Sequence, residues 1–183
     1  MVNWLIKRAM RTPYYHIADY MERYWLVPYN AVIERKPFAD AGYKSLAPGG
    51  LEDYTVTDGT GPVTWRRPVA KLLQLCGIAA RVHRILRSDA GRDPHDHPWP
   101  YLTVILKGGY FEERFDEEGA PIDTRWRGAG SILFRRANSL HKLTVPSDET
   151  AWTLFITGKK QQTWGFKPPG QPKVPHWQYV GEV

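Results

Sequence analysis

The sequence predicts a mainly β protein, a sandwich or barrel, preceded by an N-terminal helical segment. From residue 69 onward, short runs rich in aromatic and β-branched residues follow one another. Turn residues separate these runs roughly every 8 to 12 residues, which is typical of β-sandwiches and barrels. Apolar residues recur at helical spacing in residues 1–27, which favours helix at the N-terminus.

The β region contains a series of strand candidates and one predicted hairpin. The candidates are residues 78–87, 101–107, 110–115, 122–126, 131–136, 140–145, 152–157 and 163–166. A turn at Gly108 and Gly109 is expected to join the second and third candidates into a β-hairpin. Residues 167–176 contain four prolines and are expected to form an ordered strap along the surface.

The N-terminal segment is predicted to form two helices. The first has an apolar stripe of Val2, Leu5, Ile6, Ala9 and Met10. Thr12 and Pro13 then resemble an N-cap followed by proline at the first helical position. The apolar residues that follow at helical spacing are Ile17, Met21, Tyr24 and Trp25. We expect this face to dock on the barrel or on a second subunit; a membrane-surface helix is the alternative, and the acidic Asp19 and Glu22 weigh against it.

The length of the chain suits one domain with a single core. Within it we predict two regions. Residues 1–68 comprise the N-terminal helices and an extended arm packed on the barrel, and residues 69–183 comprise the β-barrel with its C-terminal strap. Prolines and glycines interrupt residues 28–68. Large apolar residues remain among them, which favours an ordered arm over a flexible linker.

Composition and charge exclude several functions. The net charge is +6, but the basic residues are scattered, so we expect a solvated basic surface that would suit an anionic small ligand and no nucleic-acid partner. No apolar run is long enough to span a membrane, and no secretion signal is evident. The one cysteine, Cys76, lies in an apolar run and is expected to be a buried, inert thiol. A soluble, cytoplasmic protein is therefore expected.

Two histidines form the most informative pattern in the chain. His95 and His97 are one residue apart, so on a strand both side chains point to the same face. Prolines at positions 94, 98 and 100 are compatible with the beginning or edge of a strand and not with a helix interior. The pair therefore lies at the mouth of the predicted hairpin, where two imidazoles could hold a metal ion. Asp96 should point away from them, into a turn or a supporting hydrogen bond.

These residues resemble the two sequence motifs of the cupins over about residues 70–166. In the first motif, His95, His97 and Gly108 fall on the two histidines and the glycine, whereas Tyr101 stands where cupins have a glutamate. In the second motif, Gly130 and His141 match the first and last positions. Arg136, Asn138 and Val145 replace its proline, its second glycine and its asparagine. The resemblance implies a cupin-type double-stranded β-helix, which is a jelly-roll barrel.

The resemblance also implies a metal site and an activity. Cupins bind a divalent transition metal through these three histidines, so it implies His95, His97 and His141 as ligands. Fe²⁺ is the first candidate, and imidazole also suits Zn²⁺, Ni²⁺, Mn²⁺ and Cu²⁺. All-histidine iron sites occur in cysteine dioxygenase and related enzymes, which favours a small-molecule dioxygenase. The alternatives are a metal-independent sugar or acid isomerase or epimerase, and a non-catalytic module that binds a small ligand.

Two further residues are candidates for catalysis. Tyr101 could donate a hydrogen bond to a bound ligand, or it could be a packed ring. Glu113 shares a strand face with Phe111 and Phe115. If those rings face the barrel, Glu113 could complete the metal site or act as a base; an outward, solvated Glu113 is the favoured alternative.

The remaining candidates concern substrate and assembly. Arg81 and His83 share one face of their strand and could recognise an anionic group such as a carboxylate. The favoured alternative places them in solvent, because Val82 and Leu86 on the other face look more core-like. Cupins commonly pair through their sheets, so the resemblance also implies a homodimer.

Overall fold

The computed structural model describes residues 1–10, 13–17, 20–27, 72–73, 75–89, 91–147 and 149–179, and for residues 13–17 and residue 27 it describes the backbone alone. Within these ranges the chain forms one helix, α1 (Val2–Ala9), and eleven strands. The strands are β1 Pro13–Ile17, β2 Met21–Val27, β3 Ala79–Ile85, β4 Tyr101–Lys107, β5 Gly109–Phe115, β6 Pro121–Gly128, β7 Ile132–Arg135, β8 Leu140–Thr144, β9 Ala151–Thr157, β10 Gly165–Phe166 and β11 Val174–Pro175. The mainly β prediction is confirmed. The predicted arm and the boundary at residue 68 lie outside the described residues.

The strands pair antiparallel in two main sheets. The larger sheet has the order β1-β2-β3-β9-β4-β7, and the smaller has the order β6-β5-β8. His95 forms isolated bridges with His141 of β8 and Phe166 of β10, so it extends the smaller sheet toward the β10-β11 pair. The two sheets bury a shared apolar core, formed by Ile85, Ile105, Tyr110, Leu143, Val145 and Ala151.

The hairpin predicted at Gly108 and Gly109 is wrong. β4 lies in the larger sheet and β5 in the smaller one, so the chain crosses between the sheets at this point. Gly108 has φ +68°, a conformation that residues with a Cβ rarely adopt, and a Cβ there would collide with the carbonyl oxygen of Thr150. The glycine pair therefore makes a corner that leads the chain from one face of the barrel to the other.

The second helix predicted in the N-terminal segment is also wrong. β1 and β2 form there instead, and β2 pairs along β3 from Met21 opposite Ile85 to Val27 opposite Ala80. Aromatic and β-branched residues favour strands, and a proline is tolerated as the first residue of an edge strand, where Pro13 lies. The pairing of β2 with β3 therefore outweighs the helical spacing of the apolar residues.

The helix α1 covers the outer face of the larger sheet. Ala9 packs with Tyr24 and Val82, and partly buried Leu26, Leu106 and Trp152 surround them. As a result β3 is covered on both faces, which decides the orientation of its polar residues. Elsewhere, the thiol of Cys76 is exposed and not buried as predicted. No helix in the described ranges is long and apolar enough to cross a membrane.

Candidate metal centre

Three histidines converge between the two sheets. His95, His97 and His141 each offer one nitrogen, and these nitrogens lie within 4.8 Å of one another. The Nε2 atoms of His97 and His141 are 2.9 Å apart, although 44 residues separate them in the chain. The structure therefore brings together the three residues that the motif resemblance named.

Backbone hydrogen bonds fix the segment that carries the first two histidines. His95 and His141 each donate a backbone N–H to the other's carbonyl oxygen at 3.0 Å, and the N–H of His97 donates to Ala137 at 3.0 Å. His95 thus behaves as a one-residue strand beside β8, and the alternation of strand side chains directs His97 to the same side. A segment this short can keep an extended conformation because neighbouring strands provide its backbone hydrogen bonds.

Asp96 points away from the cluster, as predicted, and is only 2% exposed. Its Oδ1 accepts the backbone N–H of Gly165 at 2.8 Å, and its Oδ2 accepts from Gln162 at 2.8 Å and from Lys173 at 2.7 Å. These contacts tie the histidine segment to residues 162–173. Asp96 therefore positions both neighbouring histidines without contacting the space between them.

Replacing Asp96 with asparagine is expected to destabilise the protein and to weaken metal binding. The amide loses the charge opposite Lys173 and leaves buried donors poorly satisfied, so the free energy of unfolding should fall by about 1–3 kcal/mol. Denaturant unfolding measures the first effect, and metal titration the second. Asp116→Asn is the control, because Asp116 accepts its hydrogen bonds from the backbone of Glu118 and Ala120 in an exposed turn. Equal losses in the two variants would contradict the positioning role.

The inner face of β5 carries Glu112 and not Glu113. Phe111 is 43% exposed and packs against Trp126 on the outer surface, with ring centroids 5.0 Å apart. Glu113 lies on that outer face, so its conditional placement inside the barrel is wrong. Glu112 is 2% exposed, although it was not among the residues predicted to form the site.

Glu112 lies behind His141 and is held by two arginines. It accepts hydrogen bonds from Nε of Arg127 and Nε of Arg135, both at 2.9 Å. Its Oε1 is 3.6 Å from Nδ1 of His141, on the side of that ring away from His97. Burial by itself would raise the pKa of Glu112, but His141 and Arg135 outweigh it and hold the pKa well below its usual range. His141 Nδ1 forms no hydrogen bond among the described residues, so Glu112 acts on this ring through its negative charge.

Tyr101 lies beside the cluster, where the cupin glutamate would be. Its hydroxyl oxygen is 3.4 Å from Nε2 of His141, and its ring centroid is 4.6 Å from that of His97. Burial, with the negative charge of Glu112 second, raises the pKa of Tyr101 well above its usual value. Tyr101 is therefore both a packed ring and a neutral hydroxyl group that can donate a hydrogen bond at the cluster.

Arg81 and His83 face the interior, which makes the favoured prediction of solvent exposure wrong. His83 is 8% exposed, and its ring stacks on Phe155 with centroids 4.9 Å apart. The guanidinium carbon of Arg81 is 4.3 Å from the ring centre of Trp25 and 5.3 Å from that of Trp99. The reason is that α1 buries Val82 on the other face, so both faces of β3 are interior.

The charge state of the histidines suits a transition metal. Burial lowers the pKa of His95 to about 4, and it lowers the pKa of His97 well below its usual range. Both imidazoles are therefore neutral at pH 7, with lone pairs available. Nδ1 of His95 is buried without a hydrogen-bond partner among the described residues. Three convergent imidazoles are a donor set that Zn, Cu, Fe and Ni accept, so the residues fit a metal ion.

Two facing antiparallel sheets enclose three histidines, so the chain is a mainly β protein with a candidate metal site. No protein-family model matches the sequence, and no curated protein matches it.

Several solved cupin-fold structures are similar to this chain. One is DMSP lyase DddQ from Ruegeria pomeroyi DSS-3, with 21% identity, a TM-score of 0.40, and coverage of 53% of this chain and 46% of that chain. Another is procruciferin, an 11S globulin from Brassica napus, with 15% identity, a TM-score of 0.42, and coverage of 53% and 25%. A third is oxalate oxidase in complex with glycolate, with 16% identity, a TM-score of 0.39, and coverage of 49% and 46%. The chain spans less than half the length of each of these proteins. They are a lyase, a globulin and an oxidase, so no activity is transferred from them.

Proposed function

We propose that this protein binds a divalent transition metal through His95, His97 and His141 and oxidises a small-molecule substrate with O₂. The observation that carries the proposal is the convergence of three imidazole nitrogens within 4.8 Å. Fe²⁺ is the metal we favour; when bound, it would offer open coordination positions for substrate and O₂. Zn²⁺, Ni²⁺, Mn²⁺ and Cu²⁺ fit the same donors. A homodimer and a cytoplasmic location stay predictions from the sequence.

The protein's own groups have separate tasks in this proposal. The three histidines would hold the metal, which would supply the binding site for substrate and O₂. Glu112 places a negative charge behind His141, and the hydroxyl group of Tyr101 can donate a hydrogen bond to a ligand beside the cluster. The rings of Tyr101 and Phe155, whose centroids are 4.9 Å apart, exclude water from the space beside His97.

Oxygen uptake tests the proposed reaction. Protein loaded with Fe²⁺ is mixed with a panel of thiols, diketones and aromatic acids, and O₂ consumption and products are measured. We expect uptake with at least one class of substrate and no uptake with the His97→Ala variant. Protein that holds iron but consumes no O₂ with any member of the panel would contradict an oxygenase.

One observation supports a second function that needs no metal. The 2.9 Å separation of the His97 and His141 nitrogens also suits a hydrogen bond between two neutral imidazoles. In that case one histidine would act as a base in an isomerase or epimerase, or the cluster would bind a ligand without catalysis. Elemental analysis of protein purified without a histidine tag separates the two functions. The metal-dependent function requires about one transition-metal ion per chain.

Metal binding is expected to persist at unusually low pH. Exposed imidazoles with an ordinary pKa of about 6.5 would lose metal to protons as the pH falls below about 7. Because burial lowers the pKa of His95 to about 4, protons should compete with the metal for His95 only below about pH 5. The measurement is the metal dissociation constant against a competing chelator from pH 8 to pH 4. A steep loss of affinity between pH 7 and pH 6 would contradict a neutral, buried His95 and His97.

A further inference from the structure

We infer that the substrate of this site is a small organic carboxylate, recognised by Arg81 and His83 on the inner face of β3. The inference rests on the proposed function and names the chemical class of its substrate. The supporting observations are the sheet register at these two side chains and the charges around the histidine cluster.

The register of the larger sheet places Arg81 and His83 on the surface that leads to the cluster. Arg81 pairs with Phe155 of β9, and paired residues share a face. The ring of Phe155 stacks on His83 and lies 5.8 Å from the ring of His97. A continuous inner surface therefore runs from the two basic residues, across Phe155, to one of the proposed ligands.

Arg81 is held in a geometry that suits carboxylate recognition. The indoles of Trp25 and Trp99 contact the guanidinium group, and Trp99 follows His97 by two residues. Stacking on a ring uses the face of a guanidinium group, whereas its N–H bonds lie in the plane and form a fork that matches a carboxylate. Stacking and bidentate binding of an anion are thus compatible, and Trp99 couples the arginine to the histidine segment.

His83 supplies the second observation, which is independent of Arg81. Its side chain is more than nine-tenths buried, and its Nε2 has no hydrogen-bond partner in the part of the chain that the structure describes. Leaving a buried polar nitrogen without a partner is unfavourable. A ligand oxygen on the inner face would satisfy this nitrogen, and a carboxylate has a second oxygen for Arg81.

The charges around the cluster also favour an anion. Buried Glu112, beside His141, already faces both Arg127 and Arg135, and buried Asp89, which acts on His95, is opposed there by Arg92. The cluster itself contains no carboxylate from the described residues. With a divalent metal bound, this interior would carry an excess of positive charge, and a negatively charged substrate would compensate for it.

Binding of benzoate and of its neutral isostere benzamide tests the inference. Indole N–H signals of ¹⁵N-labelled protein are followed during titration, with acetate and pyruvate as smaller carboxylates. We expect benzoate to bind about tenfold or more tightly than benzamide, because charge-assisted hydrogen bonds to Arg81 are lost with the amide. Arg81→Gln should remove this preference. Arg84→Gln should retain it, since Arg84 points to the outer face of the same strand and pairs with Glu22 at 3.5 Å.

The outcomes separate this inference from the proposed function. Titrations are run on chelator-treated and on metal-loaded protein, and the metal content of each variant is measured. A preference for carboxylates that depends on Arg81 in chelator-treated protein supports the inference even if no metal binds natively. Equal binding of benzoate and benzamide to wild-type protein overturns it, as does a failure of every carboxylate to bind. A folded Arg81→Gln variant that still prefers benzoate to benzamide also overturns the inference. If Arg81→Gln does not fold, Arg81→Lys takes its place. The affinities of wild-type protein for benzoate and for benzamide then complete the test.

Discussion

Replacing His97 with alanine is expected to reduce the metal content from about one equivalent per chain to nearly none. The three proposed ligands include no negatively charged group, so each imidazole contributes a large share of the binding free energy. Without His97, one ring nitrogen each from His95 and His141 remains, and the backbone hydrogen bonds between these two residues do not need a metal. Elemental analysis after dialysis against a weak chelator measures the loss.

The control for this prediction is His176→Ala. His176 stacks on Trp164, with ring centroids 4.4 Å apart, and does not belong to the cluster. That variant should keep its full metal content. Thermal unfolding of both variants in chelator shows whether folding is intact. Full metal occupancy in folded His97→Ala would rule out the proposed metal centre.

Replacing Glu112 with glutamine is expected to lower the free energy of unfolding by about 3–5 kcal/mol. The amide keeps the shape of the side chain but removes the negative charge opposite Arg127 and Arg135. Two partly buried guanidinium groups would then lack compensation, with side chains only 17% and 14% exposed. Denaturant unfolding at pH 7 measures the difference.

Glu113→Gln is the matched control, because it makes the same chemical change one residue along on the outer face of β5. It should alter the free energy of unfolding by no more than about 0.5 kcal/mol. The effect of Glu112→Gln should also depend on pH. A carboxyl group whose pKa is lowered by folding stabilises the protein above its unfolded-state pKa of about 4.3, and this contribution declines as the pH falls below that value. A deficit of the same size at pH 7 and pH 3 would contradict the ionic role of Glu112.

The sequence was sufficient for those features that depend on local pattern. Strands β4 and β9 follow runs of aromatic and β-branched residues, and β4 has the predicted bounds, Tyr101–Lys107. The three histidines were found because motif spacing and strand alternation restrict where such side chains can point. No knowledge of the opposite sheet was needed for either inference.

Features that depend on what covers a strand could not be predicted in the same way. On β5 the alternation of Phe111 with Glu112 was evident, but the face turned inward is decided by Arg127 and Arg135 on other strands. The phenylalanines were therefore an unreliable indicator. On β3, Val82 was correctly read as buried, but α1 covers it from outside, which leaves the opposite face for His83. The available signal in β5 was that Glu112 shares a strand face with Tyr110, a ring of the apolar core.

The order of synthesis has a consequence for when this site can form. The partners of Asp96 are Gln162, Gly165 and Lys173, which follow it in the chain by 66, 69 and 77 residues. A nascent chain that has only just completed β9 already contains all three imidazoles, yet it lacks the groups that bind Asp96 between His95 and His97. Metal loading should therefore follow release of that late segment from the ribosome, and chains shortened before residue 162 should capture metal poorly even where their sheets assemble.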